Sequence, residues 1–438
     1  MTDANTATAF VRTAMLPQQP PPISQRGVIK WMRENLFSGP LNTVLTLVGL
    51  AAVFMILQGV LPWLLHGVWT AKSLNECRAI ITKTWGDGAD GACWAVIHER
   101  WPQYIYGFYP SDQYWRPNLA FVLMLVAIAP ILFGAVPRQM LLFTAAFPAV
   151  AFWLLWGGSV WLAVVILAGF ALGVIALKLG LRLGGAILGV GAAVLIPVLW
   201  WLFFAGSAAG ALDALAPLDL VRVQSDKFGG FLLAFVIGIC GIGFSLPLGI
   251  LLSLGRRSDM PLIKYVCVGF IEFIRGVPLI TLLFTASFLL SYFLPPGTTF
   301  DLILRVIIMV TLFSAAYIAE VVRGGLAALP RGQYEAADAL GLDYWKAQRL
   351  IIMPQALKIS IPGIVSSFIG LFKDTTLVIF VSLLDPLKGI TDAVRASSEW
   401  NGVYWEPYIF SGSIFFIFCF GMSRYSQYLE RKLKTDHR

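Results

Sequence analysis

The chain has 438 residues, 58% of them hydrophobic and only 13% charged. A soluble globular protein carries about a quarter charged residues, so the composition and the mean hydropathy of +0.77 exclude an ordinary water-soluble fold. The net charge of +8 does not mark a nucleic-acid binder. Lys and Arg cluster at the ends of apolar runs, as the positive-inside rule expects, and no basic patch with base-stacking aromatics occurs.

Apolar runs of about 20 residues recur along most of the length, enough to cross a hydrocarbon core of about 30 Å. The short alternating segments of a β-barrel are absent. The sequence therefore predicts an all-α, polytopic helical membrane protein. Residues 1–40 are polar and Pro-rich (Pro17, Pro20, Pro21, Pro22). They read as a flexible cytoplasmic tail without a signal-peptide cleavage pattern. A first span is expected over 41–65. A mixed-charge loop rich in Trp and Tyr follows over 66–116, then a second span over 119–136. Beyond Arg138 the uncharged run 140–177 is too long for one crossing, and Trp156-Gly157-Gly158-Ser159 near its middle predicts a tight turn between two spans. After Lys178 and Arg182 a fifth span is expected from 183 to about 205, with Trp200 and Trp201 at the interface. A polar connector, 212–228, closes this region.

A second block begins at Gly229. A span over 229–255 is stopped by Arg256-Arg257. The run 261–295 is broken by Gly276 and Pro278 into a short surface helix and a span. A span over 303–322, a charged loop over 323–358, a span over 359–384 and a last span over 408–422 precede a basic tail. The total is about ten spans. The domain reading is a tail (1–40), an accessory transmembrane region (41–228) with a large outer loop (66–116), and a core (229–438) carrying the 323–358 loop. Placing that loop in the cytoplasm, because it holds Arg323, Arg331, Lys346, Arg349 and Lys358, puts every other charge cluster and both termini on the same side. The 66–116 loop then falls in the periplasm, where Cys77 and Cys93 could form a disulfide. The Cys and His residues show no metal spacing.

The 323–358 loop is the most informative stretch. Gln333 to Leu340 contains good helix formers, and Glu335 sits in the first turn, where an anion suits the helix dipole. Ala336 and Ala337 are small enough for close approach to another surface. Gly341 is placed to end the helix in the left-handed region. Asp343 caps a second, interfacial helix, Tyr344 to Ile352, which Pro354 is expected to end. Composition alone is satisfied by an ordinary amphipathic loop.

The spacing of Glu335-Ala336-Ala337, Gly341, Ile351 and Pro354 resembles the coupling loop of ABC-importer permeases. IEFIRGVPLI (271–280), YIAEVVRGGL (317–326), PRGQYEAADALGL (330–342) and FKDTTLV (372–378) resemble the successive signatures of the histidine/glutamine/arginine/opine group of polar-amino-acid ABC permeases, over about 229–432. The whole chain, including CWAVIHERWPQYIYGFYP (93–110), is similar to the M-type permeases of general L-amino-acid importers. The resemblance implies a type I importer permease core in the C-terminal half and a multi-pass protein of the bacterial inner membrane. It implies L-amino acids as substrates. It also implies as partners a sister permease, a cytoplasmic ABC ATPase dimer that carries ATP-Mg, and a periplasmic amino-acid-binding protein. This chain would bind no cofactor itself: it has no G-x-x-x-x-G-K-[ST] loop. No catalytic Ser/His/Asp or Cys/His set is present either, so an enzyme is not expected.

Charges within spans complete the candidate site. Glu272/Arg275 and Glu320/Arg323 are spaced i, i+3, so each pair can meet on one helix face. They read as ion pairs near the headgroups or as lining of an inner gate. Lys373-Asp374 is flanked by apolar residues, where charge is costly. It could meet the two poles of an amino-acid zwitterion, or form a joint between two permeases. The competing reading is an ion- or proton-coupled secondary transporter. That class often carries two internal repeats with matching broken helices, and 41–205 does not match 229–422.

Overall fold

The computed structural model describes residues 27–289, 292 and 301–433. The Pro17–Pro22 stretch, Pro295 and the end of the basic tail lie outside the described residues. Two compact units are distinguished: a smaller one that ends at Val68 and takes in Arg78–Ala92, and a larger one made of Trp69–Cys77 and Cys93 onward.

In the smaller unit, the segment expected to be tail carries helix α1 (Gly27–Asn35). Its pattern GVIKWMREN alternates apolar and charged faces, and a Lys30–Glu34 pair at 3.7 Å supports it at i, i+4. Pro40 then opens α2 (Pro40–Leu65) from a first-turn position that needs no N–H. No residue of α2 is buried, as expected of a helix whose neighbour is lipid.

The larger unit contains the remaining elements. Helix α3 (Leu74–Trp85) begins in this unit and continues into the smaller one from Arg78, and α4 (Ala95–Tyr106) lies wholly in the larger; both fall in what the sequence reads as a mixed-charge loop. Then come α5 (Trp115–Leu132), α6 (Leu141–Trp156), α7 (Val160–Gly185) and α8 (Leu188–Leu215). The α6–α7 break falls at the predicted turn. Gly157 (φ 75°) and Gly158 (φ 84°) adopt left-handed conformations that a side chain would strain. A two-residue antiparallel pairing, Gly158 with Leu220 and Ser159 with Asp219, fixes the turn to the connector. Arg116 is fully buried beside it. Its Nε donates to the Leu154 carbonyl at 2.6 Å and its Nη1 to the Val221 carbonyl at 2.8 Å. It thus satisfies a last-turn carbonyl of α6, which has no partner within its own helix.

The C-terminal elements are α9 (Gly230–Arg256), α10 (Pro261–Gly276), α11 (Leu279–Leu289), α12 (Leu302–Ala327), α13 (Arg331–Ala339), α14 (Tyr344–Ala347), α15 (Met353–Asp374), α16 (Gly389–Arg395) and α17 (Trp405–Leu433). Pro278 breaks the α10–α11 run as expected, and the two pieces meet at 104°. Among the described residues nine helices are long and apolar enough to cross a membrane, or up to ten if the bent pair forms one span. The protein is thus an all-α polytopic membrane protein.

Three local expectations are corrected. The fifth span runs to Leu215 rather than stopping near 205. The last helix continues into the basic stretch to Leu433, because SRYSQYLERKL holds no helix breaker. Pro354 does not end the second loop helix. It occupies the first turn of α15, and a π turn over Gln348–Ile352 joins α14 to α15 without interruption.

The central core is built where α9, α12 and α15 pack together. Phe228, Leu233, Ile237, Leu283, Ile303, Val306 and Val378 are essentially inaccessible. Tyr109 and Leu155 join the same cluster, so the accessory helices share the core of the C-terminal block. A backbone bridge at Gly107–Phe228 joins the end of α4 to the start of α9, and one at Gly229–Leu384 joins that start to the segment that follows α15.

Candidate functional site

The loop around Glu335 is built on a packed base. Ile318, Val322, Leu326, Ile352, Met353 and Ala356 form a buried cluster, with Tyr334 and Ile351 packed against it. Ala337 is 1% exposed and faces inward, whereas Glu335 and Ala336 are exposed. The helix stops as the sequence dictates. Gly341 has φ 67°; its N–H reaches the Asp338 carbonyl at 2.9 Å, and the Leu342 N–H reaches the Ala337 carbonyl at 3.2 Å. These are the two bonds of a Schellman cap. Asp343 caps the next turn, accepting from the Lys346 N–H at 2.9 Å. That N–H and the Lys346 ammonium hold the Asp343 carboxyl below its ordinary range.

Further bonds tie the loop to the helices. Gln355 Nε2 donates to Gln333 Oε1 at 2.9 Å, and Arg257 donates to the Tyr334 hydroxyl at 3.1 Å. The outer surface is left to Leu340, Tyr344, Trp345 and Leu350; Trp345 is 67% exposed. The loop thus forms a two-helix knob whose outer face carries exposed apolar residues.

The four in-span charges redistribute relative to expectation. Glu320 and Arg323 meet on one helix, with Arg323 Nε donating to Glu320 Oε1 at 2.8 Å. Glu272 and Arg275 do not pair with each other among the described residues. Glu272 pairs with Arg256 at 2.8 Å, and Arg275 approaches Glu320 at 3.7 Å. Arg256 also reaches Glu320, at 3.3 Å. The physical reason is packing: α10 lies against α9 and α12, which brings Arg256 and Glu320 within reach of its last turns, so tertiary partners replace the local i, i+3 contact. The sequence reading missed Arg256, which it treated only as a stop signal.

A cavity of about 370 Å³ lies among α11, α12 and α15, within the usual size range of small-molecule sites. Leu279, Val310, Phe313 and Leu371 give it apolar walls. Ser314, Tyr317, Ser366, Ser367 and Asp374 supply polar groups. The Ser314 hydroxyl is buried without a partner among the described residues. Lys373 and Asp374 part company here. Asp374 lines the cavity, whereas Lys373 is exposed on the outside of α15. They end the α-helical part of the segment, and a tighter 3-10 stretch, Thr375–Val381, follows. The serines and Tyr317 are common residue types in apolar runs, so no sequence signal singled them out.

Cys77 and Cys93 are joined in a disulfide, with Cα atoms 6.0 Å apart. The Cys93 N–H donates at 2.6 Å to the buried carboxylate of Glu406, at the start of α17. Asp385 lies nearby in the chain. It accepts from the Gly389 N–H at 2.8 Å and the Leu387 N–H at 2.9 Å, and burial pushes its carboxyl up against the pull of these bonds. In protein isolated without reductant, Cys77 and Cys93 are expected to resist alkylation until reduced. Closing a loop of this length contributes about 3 kcal/mol to stability. Two thiols that react without reductant would refute the pairing.

Residues 245–435 match the family described as binding-protein-dependent transport system inner membrane component. Over its whole length the chain is similar to a glutamate/glutamine/aspartate/asparagine transport system permease protein of Rhodobacter capsulatus, at 66% identity over 98% of this chain and 99% of the relative. An inner membrane amino-acid ABC transporter permease protein of Escherichia coli is 40% identical over 96% of each chain. A solved amino acid ABC transporter chain, crystallised with histidines, shares 28% identity over 46% of this chain and 91% of its own, with a TM-score of 0.41. The chain therefore belongs to the amino-acid ABC transporter permeases, the inner-membrane transport components of binding-protein-dependent systems.

Proposed function

We propose that this permease forms one half of an ATP-driven importer whose motor is a separate polypeptide, engaged through the 323–358 loop. The observation that carries the reading is the Gly341-capped knob of Glu335, Ala336, Leu340, Tyr344 and Trp345, held rigid by packing yet exposed on its outer face. The partners are a cytoplasmic ATPase pair bearing ATP-Mg, a sister permease and a periplasmic amino-acid-binding protein. Both termini lie in the cytoplasm. The block 229–438 is the transport core and 41–228 an accessory region. Family membership leaves the secondary-transporter alternative without support.

Asp374 in the cavity binds the ammonium of a free amino acid, and the serine hydroxyls and Tyr317 complete its polar contacts. Lys373 faces the sister permease, because an exposed ammonium among apolar residues is costly against lipid and a carboxylate across a protein interface would relieve that cost. The name of the 66%-identical relative points to acidic amino acids and their amides as cargo. The test is uptake of labelled glutamate by proteoliposomes holding the co-expressed complex, with the binding protein added. ATP-dependent accumulation, competed by glutamine, aspartate and asparagine, is expected. Accumulation that needs an ion gradient and no ATP would overturn the reading.

A further inference from the structure

The two glutamates and three arginines at the Glu335-loop end of the core connect three helices at one point. Arg256 ends α9, Glu272 and Arg275 close α10, and Glu320 and Arg323 lie on α12. Glu320 is the common acceptor: Arg256, Arg275 and Arg323 all reach its carboxylate. Without that carboxylate, three guanidinium groups would face one another with Glu272 as their only counter-ion, since among the described residues no other carboxylate joins the cluster.

The same cluster touches the cavity. The Arg275 guanidinium lies 5.5 Å from the centre of the Tyr317 ring, a distance at which cation and ring attract. Tyr317 lines the cavity. The Nε of Arg275 is buried and makes no hydrogen bond among the described residues. On α12, Phe313, Tyr317 and Glu320 fall at i, i+4 and i+7, so one helix face runs from the cavity to the charge cluster. The Phe313 and Tyr317 rings lie 4.8 Å apart along it. On the other side of this link, Arg275 stands three residues before Pro278, and Leu279, just after it, is again a cavity residue.

We propose that Glu320 is the hub of an electrostatic latch that closes the loop-side end of the cavity, with the Arg275–Tyr317 contact as the point where cavity and latch meet. With the latch made, α10 is held across the end of the α9–α12 pair. With it broken, α10 swings about the Gly276–Pro278 hinge and opens the cavity on that side. α12 leads within four residues into α13, so the same movement reaches the loop that engages the motor. The proposal rests on the cavity being part of the translocation path.

The test uses the full complex in inside-out membrane vesicles and a Ser314→Cys reporter. Labelling by a membrane-impermeant maleimide is measured over the parent chain, which keeps Cys240, Cys267 and Cys419. Added Glu320→Gln is expected to raise the labelling rate of Cys at 314 by about tenfold, within the range that couplings between sites usually span. Glu320→Asp, which keeps a carboxylate for the three arginines, is expected to leave the rate near that of the reporter alone. If Glu320→Gln does not reach the membrane, Arg275→Gln tests the latch from its other side, since it leaves Glu320 paired with Arg256 and Arg323. Unchanged labelling in the Glu320→Gln variant, or labelling of the Glu320→Asp variant as fast as that of the Glu320→Gln variant, would overturn the latch. The readout needs neither ATP nor substrate, so it is independent of the uptake assays that test the cavity and the motor.

Discussion

Replacing Gly341 by proline is expected to reduce amino-acid uptake to background while the chain still inserts and accumulates in the membrane. Gly341 sits at φ 67° and donates its N–H to Asp338. Proline fixes φ near −65° and has no N–H, so both the turn and the cap are lost. The knob formed by α13 and α14 then loses its angle, although the spans on either side keep their packing. Gly341→Ala should act in the same direction more weakly, since a side chain in the left-handed region costs about 1–2 kcal/mol. Gly341→Asn should be tolerated best, because asparagine visits that region most readily. The measurement is initial uptake rate normalised to membrane-inserted protein. Normal uptake by Gly341→Pro would remove the loop from the transport cycle.

Asp374→Asn is expected to lower uptake by about ten- to a hundredfold, because hydrogen bonds to charged groups contribute roughly 1.5–3 kcal/mol. The substitution keeps the shape of the cavity wall and removes a costly intramembrane charge, so assembly should be unimpaired or improved. The loss should appear in transport kinetics alone. Asp374→Glu, which keeps the charge but moves it, should recover part of the rate. Equal uptake by the Asn variant and the parent would show that the carboxylate does not meet the substrate. Lys373→Ala offers a contrast: its side chain lies outside the cavity lining, so its effect is expected on co-purification of the sister permease.

The spans were legible because their signals are local and redundant. Each apolar run is bounded by charge or by Gly and Pro, and the breaks at Gly157-Gly158 and Pro278 follow from backbone conformations that few residues tolerate. The Gly341 cap was legible for the same reason. The errors came where several local signals allow two outcomes. Pro354 can end one helix or open the next, and the π turn before it decides for opening. The stretch after Met422 is polar enough to read as a tail, yet it contains no breaker. The i, i+3 spacing of Glu272 and Arg275 permits a local pair, but the packing of α10 on α9 and α12 supplies Arg256 and Glu320 as partners instead. The cavity was least legible of all. Ser314, Tyr317, Ser366 and Ser367 are ordinary residues of membrane helices, and only packing gathers them beside Asp374.

The most direct test of the central claim, that this permease is driven by a separate ATPase docked on the 323–358 loop, is a tagged purification from native membranes in mild detergent, with ATP hydrolysis assayed on the product. The expected result is co-purification of a nucleotide-binding subunit and a second permease with ATPase activity, the nucleotide-binding subunit being lost on Glu335→Ala. A chain that purifies alone without ATPase activity, or a complex indifferent to both Glu335→Ala and Gly341→Pro, would contradict it.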